Sequence, residues 1–463
     1  MNLLKAMFNK TFFPEKTFWK MILSFSIPIA MQNMSTAILG IIDVSVISYM
    51  GETAVAVVSL ANQLFYIVSL ITFGITSGAS VYLSRNYGER NHEAMRKTFS
   101  ITLIFSLCIN LLVMLFCLFF PYKSLGFFTN DSQTIKDGAM YLIIITPTFL
   151  LYSLSSSYVA FFRSVKQPKI PMIATMVSLG IKTALNFILI YGVGFIPAMG
   201  VAGAAISTLI SKLVETVIFL ICIARYEDKE YVFKLSDIKF VKPKAIGDFV
   251  HKTYAVILNE SLWGFGISAF NAIFGRMGND VVSAVSIARQ LENLGNSFFY
   301  GVAIGACVTI SCSIGEKKIE EAKELARKYA LAGFYVGFGV MMLMLAIDIP
   351  YVKFFFSGLE PETQSLTIWL IAIYAFYMPF RALASTLIMG VLRAGGNSNK
   401  AMLYDVVPVY AWSLLLGFIL GIKLKCSIIT VLTVMLFKRF IKSVIALKSV
   451  AGGRWINYND IVD

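Results

Sequence analysis

The sequence predicts an all-α polytopic membrane protein, with twelve transmembrane helices in two parallel-related six-helix bundles. Three observations predict it. Of its 463 residues 57% are hydrophobic and only 14% charged, with a mean hydropathy of +0.75, values foreign to a water-soluble chain of this size. Apolar stretches near the roughly 20 residues that cross a bilayer core recur along nearly the whole chain. The chain also matches itself at a fixed offset, so one architecture is used twice.

The spans follow in order. In the first half, 20–47 carries Pro28 and Asp43, and 54–83 holds the pair Gly74 and Gly78. Then 97–120 runs from Lys97 into an almost wholly apolar stretch, and 139–162 holds Pro147. Span 171–191 carries Lys182 and Asn186, and 201–224 opens on the small-residue run VAGAAIST. In the second half, 250–275 carries Glu260, and 281–310 carries Arg289, Glu292 and the glycines 301 and 305. Spans 327–349, 366–390 with Pro379 and Arg381, 401–422 with Asp405, and 427–447 complete the twelve. The prolines remove backbone donors and predict bends.

Lys and Arg gather on the loops and span ends of one side, so the positive-inside rule places both termini in the cytoplasm, as for a plasma (inner) membrane protein. The net charge of +14 then marks loops beside anionic lipid and excludes a nucleic-acid surface, since no basic patch with interleaved aromatics stands outside the spans. The opening MNLLKAMFNKTFFPEK lacks the pattern of a cleaved leader and reads as a short interfacial segment. Five of six cysteines lie in or at the ends of spans, no CxxC occurs, and the two histidines are isolated. No disulfide framework, metal site or cofactor is expected.

At an offset of 227 residues Met50-Gly51 falls on Met277-Gly278, Gln63-Leu64 on Gln290-Leu291, Gly74 on Gly301, Gly78 on Gly305 and Gly88-Glu89 on Gly315-Glu316. Further on Arg163 meets Arg393 and Met172 meets Met402 at 230. Two halves, 1–232 and 233–463, follow, and six spans in each make them parallel repeats. Transporters built from repeats bind substrate near the midplane between the halves and alternate access. The polar, basic linker 226–244 is long enough to let them move. The GxxxG spacings at 74/78 and 301/305 predict close helix packing.

A charge at membrane depth is expensive unless it meets a partner or a cavity. Counted at 1.5 Å per residue from Lys20, Asp43 sits roughly 34 Å along its helix; it is either a helix-end aspartate wetted from outside or a functional carboxylate. Lys182 and Asn186 share one helix face at similar depth, so Lys182 either snorkels to headgroups or neutralises Asp43, where a proton or cation would compete with it. In the second half Glu260 and Arg381 are expected to pair. The position equivalent to Asp43 is Phe270, so the lobes share a fold but not a chemistry. Arg289 with Glu292, and Lys212 with Glu215, read as intrahelical pairs, while Asp405 near a cytoplasmic end reaches water. Gln32, Asn33, Asn62, Gln63, Glu260, Trp263, Gln290 and Arg381 are candidates for substrate contact or gating.

The segments IPIAMQNM…IIDVSVISYMG, ITSGASVYLSRNYGERN, LNFILIYGVGFIPAMGVAGAAIST, ILNESLWGFGISAFNAIFGRMG and VLRAGGNSNK together resemble the multidrug and toxic compound extrusion (MATE) family of cation-coupled antiporters. The resemblance covers essentially the whole chain and implies two six-helix bundles forming a V. It implies that Asp43 matches the first-helix aspartate used for proton or sodium coupling. Asn186 falls where many members have aspartate, Lys182 where some have asparagine, and Thr208 on a threonine of the ion site. Glu260 lies about one turn before the family's second-lobe glutamate, and Ala382 replaces its aspartate partner, so that second-lobe ion site is absent. The expectation is export of small amphipathic or cationic compounds by a lipid-embedded monomer. The alternative is a lipid-linked saccharide flippase of the same superfamily. An enzyme is not expected, because no nucleophile and base pair or metal cluster is found.

Overall fold

A computed structural model describes residues 16–50, 52–126, 128–129, 131–194, 196–453 and 455–457. The expected interfacial segment lies outside the described residues, apart from Lys16. Among the described residues the chain is helical without a strand, its helices joined by turns and loops that include isolated bridges such as Val193 with Ile196.

The helices are α1 (Lys16–Ser48), α2 (Glu52–Gly88), α3 (His92–Phe119), α4 (Ser132–Ile145 and Pro147–Ser164), α5 (Lys169–Tyr191) and α6 (Gly200–Ala224). They continue as α7 (Pro243–Gly275), α8 (Asn279–Gly315), α9 (Ile319–Phe355), α10 (Pro361–Phe376 and Met378–Leu392), α11 (Ser398–Lys423) and α12 (Ile428–Leu436 and Lys438–Ala451). Eight are long and apolar enough to cross a membrane singly, and the bent pairs in α4 and α10 bring the number to ten. The other two, α7 and α12, hold charged stretches, PKAIGDFVHK and KRFIK, and complete the twelve by place in the repeat rather than by hydropathy.

Proline explains the two sharp bends. Helix α4 turns by 44° at Thr146, just before Pro147, and α10 by 42° at Tyr377, two residues before Pro379. In each the ring removes a donor and clashes with the carbonyl four residues back. Pro28, expected to act likewise, leaves α1 one uninterrupted helix. Leu112, Leu213, Met342 and Trp369 are more than half exposed, an arrangement suited to hydrocarbon and unfavourable in water.

The compact units do not divide at the linker. One joins the helix segment ending at Ala30 to the residues from Leu258 onward, and the other is Met31–Ile257. Both boundaries fall inside a helix, α1 and α7, at residues related by the 227 offset. The glycine pairs show why. A Cβ on Gly301 would lie 2.5 Å from the Ser26 carbonyl oxygen and one on Gly305 3.2 Å from Phe25 Cβ, so α8 seats the start of α1. In the other unit a Cβ on Gly74 would lie 2.7 Å from Ile257 Cα and one on Gly78 2.9 Å from Thr253 Cβ, so α2 seats the start of α7. The close packing expected of GxxxG is thus met in each unit.

The linker is not the loose tether its polarity suggests. Its short helical turns Lys229–Tyr231 and Leu235–Phe240 lie against α2 and α3: Tyr231 packs on Tyr87 and His92, and Phe233 on Phe99. Arg96 holds Asp237 at 3.5 Å, and His92 approaches Glu230 at 3.2 Å. These ring contacts and the two charge contacts tie the segment to the Met31–Ile257 unit.

Candidate functional site

Small residues bring α5 and α6 together. Gly203, Ser207 and Ser211 recur every four residues on one buried stripe of α6, and a Cβ on Gly203 would lie 2.5 Å from the Leu189 carbonyl oxygen. The Ser178 hydroxyl donates to the Ser211 carbonyl at 2.7 Å. On the far side Tyr191 of α5 donates to the Val46 carbonyl of α1 at 2.6 Å. The three helices therefore meet along a seam.

Asp43 lies in that seam. Lys182 Nζ donates to its Oδ2 at 2.5 Å and Asn186 Nδ2 to its Oδ1 at 2.8 Å, so both carboxylate oxygens are engaged. Ser207 donates in turn to Asn186 Oδ1. The Asp43 side chain is 13% exposed and that of Lys182 22%, which leaves a narrow approach to an ion pair set mostly inside the unit. The sequence left open whether Lys182 snorkels to headgroups or neutralises Asp43, and the structure brings the two together. Thr208 is not brought in: its hydroxyl donates to the Ala204 carbonyl of its own helix at 2.9 Å. Ser207 stands in its place. The i, i+4 stripe of small residues was the signal for it.

A second polar layer lies on the same three helices and α4. Arg163 of α4 donates to Gln32 Oε1 at 2.7 Å, and Gln32 Nε2 donates to Thr175 Oγ1 at 2.8 Å. Thr175 donates to Glu215 Oε1 at 2.8 Å, and Lys212 holds Glu215 Oε2 at 2.6 Å, the expected intrahelical pair. Gln32 and Asp43, like Thr175 and Asn186, are eleven residues apart, about three turns, and so share a helix face. The sequence named Gln32 but missed Thr175 and Arg163, because a threonine or a helix-end arginine is unremarkable until its neighbour is known.

The other unit corrects three expectations. Glu260 pairs with Arg393 at 2.8 Å, not with Arg381. Arg381 instead holds Glu292 at 2.5 Å, and Arg439 holds the same carboxylate oxygen. Arg289 does not pair with Glu292 either; it donates to Asn271 Oδ1 at 2.5 Å. Asp405, expected to reach water, receives Lys442 at 2.6 Å and Asn259 at 3.1 Å. Gln290 accepts from Tyr351 at 3.2 Å. Asn33 and Trp263 are half-buried, while Asn62 and Gln63 are exposed. The structure gathers none of these four into either polar layer.

Comparison with known proteins agrees with the twelve-helix fold. The MatE family model matches residues 28–188 and 256–419, one match in each repeat. The chain is 21% identical over 440 residues to the probable multidrug resistance protein NorM of Thermotoga maritima, covering 94% of this chain and 93% of that protein. It is 22% identical over 406 residues to the multidrug export protein MepA of Staphylococcus aureus, covering 86% of each. Among solved structures, a mutant of the Vibrio cholerae MATE transporter VcmN is similar in fold, with a TM-score of 0.84 at 15% identity over 94% of this chain and 96% of that one. With both repeats matched and a chain built of membrane-crossing helices, this protein belongs to the MatE family of multi-pass membrane transporters.

Proposed function

We propose that this protein is a secondary active antiporter that exports amphipathic, often cationic, organic compounds by alternating access, driven by inward movement of protons or sodium, with protons favoured. The observation that carries the reading is the Asp43 carboxylate held between Lys182 and Asn186. A proton reaching Asp43 removes the charge that holds Lys182 and leaves a partly buried ammonium without its counterion. That penalty destabilises the α1 to α5 contact, and a state in which the ammonium is rehydrated gains population. Sodium would need the position that the ammonium fills, which is why protons are favoured.

The printed names of NorM and MepA, a multidrug resistance and a multidrug export protein, support organic compounds as cargo. The side bias of Lys and Arg supports cytoplasmic termini and an inner-membrane location. The protein works as a lipid-embedded monomer in this reading, with no cofactor beyond the coupling ion.

Dye efflux from proteoliposomes under separately imposed proton and sodium gradients tests it. A proton gradient alone is expected to drive efflux in the wild type. Asp43→Asn is expected to abolish the gradient-driven part, and Lys182→Ala to transfer some dependence to sodium. Gradient-driven efflux that persists unchanged in Asp43→Asn removes this residue from coupling.

A further inference from the structure

The unit that contains α8, α10 and α12 gathers more positive charge than its acids neutralise. Glu292 is shared by Arg381 and Arg439, and the side chains of Glu292 and Arg439 are only 5% and 6% exposed. Arg289, one turn earlier on α8, is turned to Asn271. The Lys438 ammonium lies 4.0 Å from the centre of the Phe270 ring and makes no hydrogen bond or ion pair among the described residues. It stands within electrostatic reach of Arg381, Arg439, Lys442 and Glu292. Asp405, a further acid of this unit, already holds Lys442. Four cations are thus left with one carboxylate between them.

The guanidinium of Arg439 shows where the deficit lies. Its Nη2 holds Glu292, but its Nη1 is buried with no hydrogen-bond partner. A buried guanidinium donor left unpaired is strongly unfavourable, because it has lost water and gained no acceptor. The planar fork of arginine matches the paired oxygens of phosphate and carboxylate groups. Rings flank the cluster: Phe299 lies 5.8 Å from the Arg381 guanidinium and Tyr374 5.5 Å from that of Arg439. Both rings are buried, and they help to hold the guanidinium groups in place.

We propose that Arg439, Lys438 and Arg381 form a binding site for an oxyanion, a phosphate or carboxylate group borne by an amphipathic molecule. The anion accepts from the spare Nη1 of Arg439 and from the Lys438 ammonium, while Glu292 keeps Arg381 and Arg439 in place. The site lies in a different unit from Asp43 and does not depend on which ion that aspartate handles.

The test uses the purified full-length chain in a neutral detergent and isothermal titration with decyl phosphate, and with decyltrimethylammonium as the opposite charge. Decyl phosphate is expected to bind near one per chain and the ammonium amphiphile not to compete. Lys438→Gln breaks no ion pair, so the fold is kept, and it is expected to weaken decyl phosphate about tenfold, the size of one charge-assisted hydrogen bond. Lys328→Gln, which alters an ion pair with Glu324 on α9, is the control and is expected to bind as the wild type does. Two arms separate the sources of the group: titration with inorganic phosphate alone reports a free ion, and native mass spectrometry of retained anionic phospholipid, lost in Lys438→Gln, reports a headgroup. Binding in either arm carries the proposal. Equal affinity of Lys438→Gln and wild type for decyl phosphate, or equal binding of the two amphiphiles, overturns it.

Discussion

Glu215 and Lys442 occupy equivalent positions in the two repeats, 227 residues apart, and each ends a buried polar chain of opposite charge. In one unit Gln32 donates to Thr175, which donates to Glu215. In the other, Asn259 and Lys442 both donate to Asp405, and Asn259 and Asp405 stand at the repeat positions of Gln32 and Thr175. Thr has become Asp where Glu has become Lys, so every acceptor still meets a donor. The fold preserves the pairing while the sign of the charge reverses.

That compensation makes a prediction about stability. Lys442→Glu alone sets two carboxylates against each other and leaves Asp405 without its cation, which costs about 3–5 kcal/mol for a buried pair. Adding Asp405→Thr restores the pattern of the other unit and is expected to recover most of the loss. Thermal unfolding in detergent, followed by the surviving monodisperse fraction, checks it. A double variant no more stable than Lys442→Glu would mean that the two chains are not interchangeable.

Ser207, rather than its neighbour Thr208, supports the Asp43 site. Ser207→Ala removes the donor that orients Asn186 and is expected to reduce proton-driven dye efflux several-fold, in keeping with the roughly 1 kcal/mol of a hydrogen bond. Thr208→Val, which removes only a bond back to the Ala204 carbonyl, is expected to leave the coupled rate near wild type. Efflux measured in parallel at matched protein density distinguishes them.

The glycines at the helix crossings differ from those elsewhere. A methyl group on Gly301 meets the backbone of Ser26 at 2.5 Å, so Gly301→Ala forces helices apart and costs about 1–3 kcal/mol. Gly40, in α1, has nothing within 4 Å of an added Cβ. Gly40→Ala therefore gains helix propensity, up to about 1 kcal/mol. Melting temperatures of the two variants should move in opposite directions.

Outside the membrane, Asp131 caps the first segment of α4. Its carboxylate accepts from the Thr134 hydroxyl and from the Thr134 backbone N–H at 2.9 Å, and these bonds hold its pKa below the ordinary 3.8. A depressed carboxylate adds stability above its unfolded value and loses it as pH falls through the folded one. The melting-temperature difference between wild type and Asp131→Ala should be constant at neutral pH and be lost in acid, as pH falls past the ordinary 3.8 and through the lowered folded value. A difference that persists into strong acid would assign the effect to helix propensity instead of the cap.

Much of this was legible in the sequence, and the reason is physical. Hydropathy marks a membrane helix without reference to any other part of the chain, and a repeat is visible as a linear offset. The class, the twelve segments and the glycine crossings therefore followed from the residues alone. Asp43 and Lys182 were also recognisable, since two opposite charges at similar depth in one bundle have few ways to be satisfied.

Partner choice was not legible. Neighbouring residues on a helix point about 100° apart, so whether Ser207 or Thr208 turns toward Asn186 depends on the rotation of α6, which packing against Leu189 sets. The same holds for Arg381, which meets Glu292 rather than Glu260 beyond the bend at Tyr377. Sequence by itself determined which charges fall within apolar stretches and roughly how deep. Only the tertiary structure decided which carboxylate each cation answers, because side-chain direction is fixed by contacts between helices distant in the chain.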